Sequence, residues 1–169
     1  MWVTGTLTNF NYTFEIVRGR TELGSRASIQ DRMMLKAALA ALNSTCNRAN
    51  VGCVIFNENL EFTGYNGASK GQPHCTDEGV GCLVIDSHCR RAVHAEMNAI
   101  FKLNKTTESK ENLRACVTHT PCFNCLNLLI ASEINTIYIL NVYKPEHLSA
   151  FKTAKPTLKL IDFTYLEEI

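Results

Sequence analysis

Two short stretches hold side chains whose types and spacing can do chemistry together. The first is AVHAEMNAIFK, residues 92–102, where His94 and Glu96 stand at the start of an apolar helical pattern. The second is HTPCFNCLNLLIAS, where Cys122 and Cys125 follow Pro121. Cysteines at i and i+3 share one helix face, and the proline before them suits a helix start. The dipole of a first helical turn lowers thiol pKa values toward thiolate. With His94 presented from another helix start, one imidazole and two thiolates make three protein ligands and leave a fourth tetrahedral position open. That is the donor set of a catalytic zinc site and not of a closed structural one. Zinc lowers the pKa of bound water from about 16 to about 7, so hydroxide is available at neutral pH. Glu96, two residues from a ligand, can accept the proton of that water without occupying the metal and hand it on to a substrate.

The elements that must position these residues follow from patterning. Residues 2–23 alternate loosely and predict a β-hairpin or an arm ahead of the main domain. Ser28 is placed to cap a helix running to about Asn43. VGCVIFN (51–57) and LEFTGYNG (60–67) predict two strands joined by a tight turn around Asn57–Asn59. Residues 68–91 are glycine-rich and polar, with no period of their own, which marks a functional or metal-stapled loop. A helix over 94–103, a strand over 113–119, a helix over 122–132 and a strand over 136–142 follow. A helix near 145–152 and a short strand near 158–163 close the pattern. This β-β-α-β-α-β order predicts an α/β protein with helices packed on a central mixed sheet. The division is an N-terminal segment, 1–27, and one catalytic domain, 28–169.

Composition excludes several classes. At 169 residues, with 46% hydrophobic and 20% charged residues, the chain is an ordinary globular one. A net charge of +1 argues against a nucleic-acid partner. No apolar run approaches the length of a membrane span, and the N-terminal stretch lacks the pattern of a secretory signal. Eight cysteines could form a disulfide framework, but their clustering with histidines favours metal binding in a cytoplasmic protein.

The pairing of H-x-E with P-C-x-x-C is the signature of zinc-dependent nucleobase deaminases. HAEMNAI with TPCFNC, preceded by GYNG (64–67) and STCNRANVG, closely resembles the deoxycytidylate (dCMP) deaminases of the cytidine deaminase-like superfamily. The resemblance covers roughly residues 28–145, and Asn98 points to the dCMP branch, in its bacterial or phage form. It implies a three-layer α/β/α sandwich around a five-stranded mixed sheet. It also implies hydrolysis of dCMP to dUMP and ammonia, feeding thymidylate synthesis, in the cytoplasm (a host's, if phage-encoded). Glu96 would be the proton shuttle, and His94, Cys122 and Cys125 the zinc ligands. By family position Asn66 and Tyr143 line the nucleoside pocket, and Arg48 and His88 face the phosphate. Backbone groups near Ala95 and 118–121 would hold the base edge.

Six cysteines remain. Cys53 and Cys116 fall inside predicted strands and serve as small core residues. Cys46, Cys75, Cys82 and Cys89 fall in loops where several family members carry a structural zinc, and four thiolates would close such a site. His74 and His88 compete for that role, and His88 cannot be both zinc ligand and phosphate contact. The family further implies a homohexamer activated by dCTP with Mg2+ and inhibited by dTTP, with Asp77 and Glu78 near the effector. Competing readings are a sister deaminase for another cytosine nucleoside or nucleotide, and a catalytically silent zinc-binding assembly subunit.

Overall fold

Ser28 caps the helix expected of it: its hydroxyl accepts from the Asp31 amide, and helix α2 runs over Ile29–Ala41. The computed structural model describes residues 3–22, 24–85, 88–142, 148 and 158–168, without the side chains of 3–10. Ahead of α2 lies α1 (Val3–Arg20). Strands β1 (Gly52–Phe56) and β2 (Glu61–Tyr65) follow, then the short β3 (Gly67–Ala68), β4 (Val84–Ile85), β5 (His88–Cys89) and β6 (Ala92–Val93). Next come α3 (Ala95–Leu103), β7 (Arg114–His119), α4 (Phe123–Ala131), β8 (Thr136–Asn141), β9 (Lys159–Asp162) and β10 (Glu167–Glu168).

One sheet organises the molecule, in the order β10-β9-β8-β7-β1-β2. Strand β1 is antiparallel to both β2 and β7, while β7, β8 and β9 run parallel. The five expected strands are all present; a sixth, the two-residue β10, joins the outer edge antiparallel to β9. Side-chain alternation then makes the layers, because successive strand residues point to opposite faces. Cys53, Ile55, Ala115, Val117, Ile137 and Ile139 face α3 and α4 in one core. Val54, Phe56, Cys116 and Leu140 face Met33, Met34 and Ala37 of α2 in the other.

Two glycines set how closely the helices approach. A Cβ on Gly52 would lie 1.8 Å from the Ala37 carbonyl oxygen, and one on Gly64 would lie 2.1 Å from that of Ala95. Only glycine permits backbone contact at that range. The second contact matters more, because it seats the first turn of α3, and with it Glu96, against β2.

The N-terminal hairpin is corrected to helix α1. Its stretch is rich in threonine and aromatic residues, which favour strands as an isolated tendency. Packing decides otherwise. Thr13 and Val17, four apart, are both buried, and Val17 joins the α2-side core. Arg20 completes the seam: it pairs with Asp31, donates to the Phe163 carbonyl at 2.7 Å, and stacks over the Phe163 ring at 4.3 Å. The 68–91 loop also holds more structure than its sequence showed, in two small ladders, β3–β6 and β4–β5. The helix expected near 145–152 lies outside the described residues apart from Leu148, which is buried.

Candidate active site

His94 and Cys122 are the N-cap residues of α3 and α4, and both have extended backbone dihedrals there. A serine or aspartate at such a position would spend its side chain on the helix amides. Neither His94 nor Cys122 does so. Their side chains are therefore available to meet each other where two helix N-termini converge, and Cys125 joins them from the first turn of α4. His94 Nδ1 lies 3.6 Å from Cys122 Sγ and 3.3 Å from Cys125 Sγ, and the three donor atoms are all within 4.8 Å of one another. Zn–S and Zn–N bond lengths in a tetrahedron require donor separations of about 3.5–3.8 Å. The three side chains fit a zinc ion, with one coordination position left for a non-protein ligand.

Electrostatics favour the same use. A hydrogen bond from the Cys125 thiol, helped by His94, holds the Cys122 thiol down to about 3, so Cys122 is a thiolate at neutral pH. Cys125, sharing its proton with Cys122 and buried, is pushed up. Contact with Cys122 raises the His94 pKa. Glu96 is 3% exposed, and burial raises its carboxyl above the ordinary carboxylate range. A carboxyl at once buried, adjacent to a ligand and facing a cavity is a group made to exchange a proton.

That cavity, of about 320 Å³, is lined by Glu96, His94, Cys122, Arg48, Asn66 and His88 among others. Arg48 and His88 are exposed at its rim. Asn66 is buried and largely committed to backbone: its Oδ1 accepts from the Val51 amide at 2.8 Å and its Nδ2 donates to the Ala49 carbonyl at 2.8 Å. It holds the 49–51 wall in place while facing the cavity. Tyr143 lies outside the described residues. Asn98 is not in the cavity wall. Its Nδ2 donates to the Tyr65 carbonyl at 2.8 Å, and Lys102, one turn on, donates to the Thr63 carbonyl. These two side chains cover the exposed edge strand β2, the ordinary way to blunt a sheet edge.

His119 and Thr120 line the cavity too, and neither side chain was singled out in the sequence. The available signal was position: they stand at the carboxyl end of β7, where α/β sheets collect ligands, directly ahead of the P-C-x-x-C turn. Burial lowers the His119 pKa and keeps its imidazole neutral.

A second cluster adjoins the first. Cys46 Sγ lies 3.7 Å from Cys82 Sγ and Cys75 Sγ 3.6 Å from Cys89 Sγ, with all four sulfurs within 4.8 Å. These are the separations of a closed tetrahedral zinc site. Neither histidine joins it: His74 Nδ1 pairs with the Thr45 hydroxyl at 2.8 Å, and the metal-binding group comprises the four cysteines alone. Burial raises Cys75; in Cys89 burial is outweighed by the Ala92 and Arg91 amides and the neighbouring thiols, lowering it to about 7.

A three-layer sheet fold with an open His-Cys-Cys cluster beside a buried glutamate defines the class of zinc-binding nucleobase deaminases. Within that class the chain belongs to the family of the cytidine and deoxycytidylate deaminase zinc-binding region, which it matches over residues 27–141. It is 39% identical over 140 residues to ComE operon protein 2 of Bacillus subtilis, covering 81% of this chain and 73% of that one. It is 30% identical to the deoxycytidylate deaminase of Saccharomyces cerevisiae, covering 82% of this chain but 46% of the yeast protein. The crystal structure of the dCMP deaminase of cyanophage S-TIM5 in complex with dCMP and dUMP shares the fold. Its TM-score is 0.64 at 23% identity, over 80% of this chain and 97% of that one.

Proposed function

We propose that this protein hydrolyses dCMP to dUMP and ammonia, with His94, Cys122 and Cys125 holding a catalytic zinc and Glu96 moving the protons. The observation that carries this reading is the buried Glu96 carboxyl beside a cluster of three donors. A closed structural site has no use for a carboxylate next to an open position. Zinc held there supplies a Lewis acid that brings the pKa of water to about 7. Glu96 takes a proton from the water that adds to C4 of the cytosine and gives a proton to N3. It then carries the second water proton to the amino group as the C4–N bond breaks. The raised pKa of Glu96 suits a group that must accept and release protons in one cycle.

The base stands against His94, Glu96 and Cys122. Asn66 positions the facing wall and contacts the nucleoside, and Arg48 and His88 at the rim take the phosphate. The four-cysteine cluster holds a second, structural zinc and ties the loop bearing Arg48 to the strand bearing His88. Family membership supports an extension of this reading: a cytoplasmic enzyme supplying dUMP for thymidylate synthesis, assembled as a homohexamer, activated by dCTP with Mg2+ and inhibited by dTTP. No helix of the described residues is long and apolar enough to cross a membrane.

The test is zinc content per chain together with loss of cytosine absorbance for dCMP, deoxycytidine, CMP and dCTP. Two zincs per chain and turnover of dCMP above the others are expected. Zinc without turnover of any cytosine compound would instead make the chain a silent assembly subunit. A hyperbolic dCMP curve, unmoved by dCTP, would remove the regulatory part alone.

A further inference from the structure

His119 occupies a position that the zinc and Glu96 chemistry leaves without a task. It lines the cavity shared by Glu96 and Cys122, and its contacts indicate which ring nitrogen carries the proton. The Thr118 hydroxyl is 1% exposed and accepts from the Gly52 amide at 3.0 Å. Its other hydrogen-bond partner among the described residues is His119 Nδ1, at 3.1 Å. A buried hydroxyl proton needs an acceptor, and Nδ1 is the one within reach. Nδ1 therefore accepts, and the neutral imidazole carries its proton on Nε2. No partner for Nε2 is found among the described residues, so this N–H is free to meet whatever fills the cavity.

We infer that His119 is a specificity residue that donates its Nε2–H to an acceptor oxygen of the nucleoside. The inference rests on the deaminase reading and adds a contact to it. A neutral donor in the cavity wall suits a neutral acceptor oxygen, whereas Arg48 and His88 are exposed, where an anion is best held. On the base, Glu96 serves N3 and the amino group, and backbone groups near Ala95 are expected at the base edge, so the cytosine O2 and the sugar 3′-oxygen are the two acceptors to be told apart. Discrimination of this kind is strong, because a substrate lacking the acceptor leaves the donor unpaired.

The test separates contact with substrate from support of Thr118. Asparagine at 119 can still accept from Thr118 through its short amide but reaches no further, while glutamine places an amide N–H near the position of Nε2. Expected for His119→Asn is a KM for dCMP about tenfold higher, with kcat within a factor of two; His119→Gln should restore KM to within about threefold. A merely structural role predicts the reverse order, with Asn rescuing and Gln not. The oxygen is identified with 2-thio-dCMP and 2′,3′-dideoxycytidine monophosphate, since the penalty of His119→Asn should vanish on the analogue lacking the partner oxygen. A penalty that persists on both analogues, or a His119→Asn enzyme with unchanged KM, overturns the inference. If His119→Asn fails to fold, the wild-type protein decides: neither analogue binding more weakly than dCMP would also overturn it. Failure of the underlying deaminase reading looks different, because wild type would then turn over no cytosine nucleotide at all.

Discussion

The two cysteine clusters share a wall of one cavity and differ in donor number and setting. The His94–Cys122–Cys125 cluster has three donors, delivered from two helix N-termini over the central sheet, with Glu96 buried beside it. The Cys46–Cys75–Cys82–Cys89 cluster has four donors, delivered mostly from loops, with the buried Ala92 packed among them. On the proposed reading, the first would leave a coordination position for chemistry beside a proton carrier. The second would close the coordination shell of a structural zinc and tie together chain segments that have little regular structure. Cys46 and Cys89 also line the cavity, so the closed cluster shapes the pocket in which the open one works.

The largest expected effect divides chemistry from structure. Glu96→Gln should lower turnover of dCMP by about 10²- to 10⁴-fold with metal content and melting temperature unchanged; turnover near wild type would remove Glu96 from the mechanism. Next, one cysteine from each cluster is compared. Cys122→Ser and Cys75→Ser should each lower bound zinc from two per chain to one, measured by elemental analysis. Cys122→Ser loses activity and keeps its Tm, while Cys75→Ser keeps partial activity with a raised KM and loses Tm by on the order of 10 °C. Equal thermal losses in the two variants would erase the distinction between an open and a closed site.

Smaller effects test the scaffold around the open cluster. Gly64→Ala inserts a Cβ 2.1 Å from the Ala95 carbonyl and should destabilise by about 1–3 kcal/mol through overpacking. Its kcat should fall as well, because the displaced turn carries Glu96; urea melts and steady-state rates on the same sample would show both. Smallest is Asn98→Ala, which removes one hydrogen bond to the Tyr65 carbonyl. About 1 kcal/mol of stability should go and KM for dCMP should not move. A substantial KM change would give Asn98 a role at the substrate beyond its place at the sheet edge.

The sequence was most legible where chemistry is local. The short spacings of Cys122 with Cys125 and of His94 with Glu96 were readable as motifs, because each pair lies within three residues at the N-terminal edge of a helix. The central strands were legible as short apolar runs at 51–57, 113–119 and 136–142, and the sheet buries β1 along its whole length and β7 along most of its own. The N-terminal segment misled because its threonines and aromatics favour strands, whereas its buried positions, Thr13 and Val17, repeat every four residues only once α2 is there to cover them. Asn66 and Asn98 show a different limit. Both were marked by motif position, but where an amide side chain points depends on which carbonyl the fold brings near it.

Residue types and short spacings thus identified on their own the family and the candidate site residues His94, Cys122, Cys125 and Glu96, since motifs of this kind rest on near neighbours in the chain. Tertiary structure decided the rest. It left His74 and His88 out of the second cluster, because His74 turns to the Thr45 hydroxyl while the four sulfurs drawn from residues 46–89 meet one another. It gave Asn98, a marker of the family branch, a hydrogen bond at the sheet edge, made the N-terminal segment a helix, and brought His119 into the cavity wall. Those outcomes depend on contacts between residues far apart in the chain, whose distances and directions no local pattern encodes.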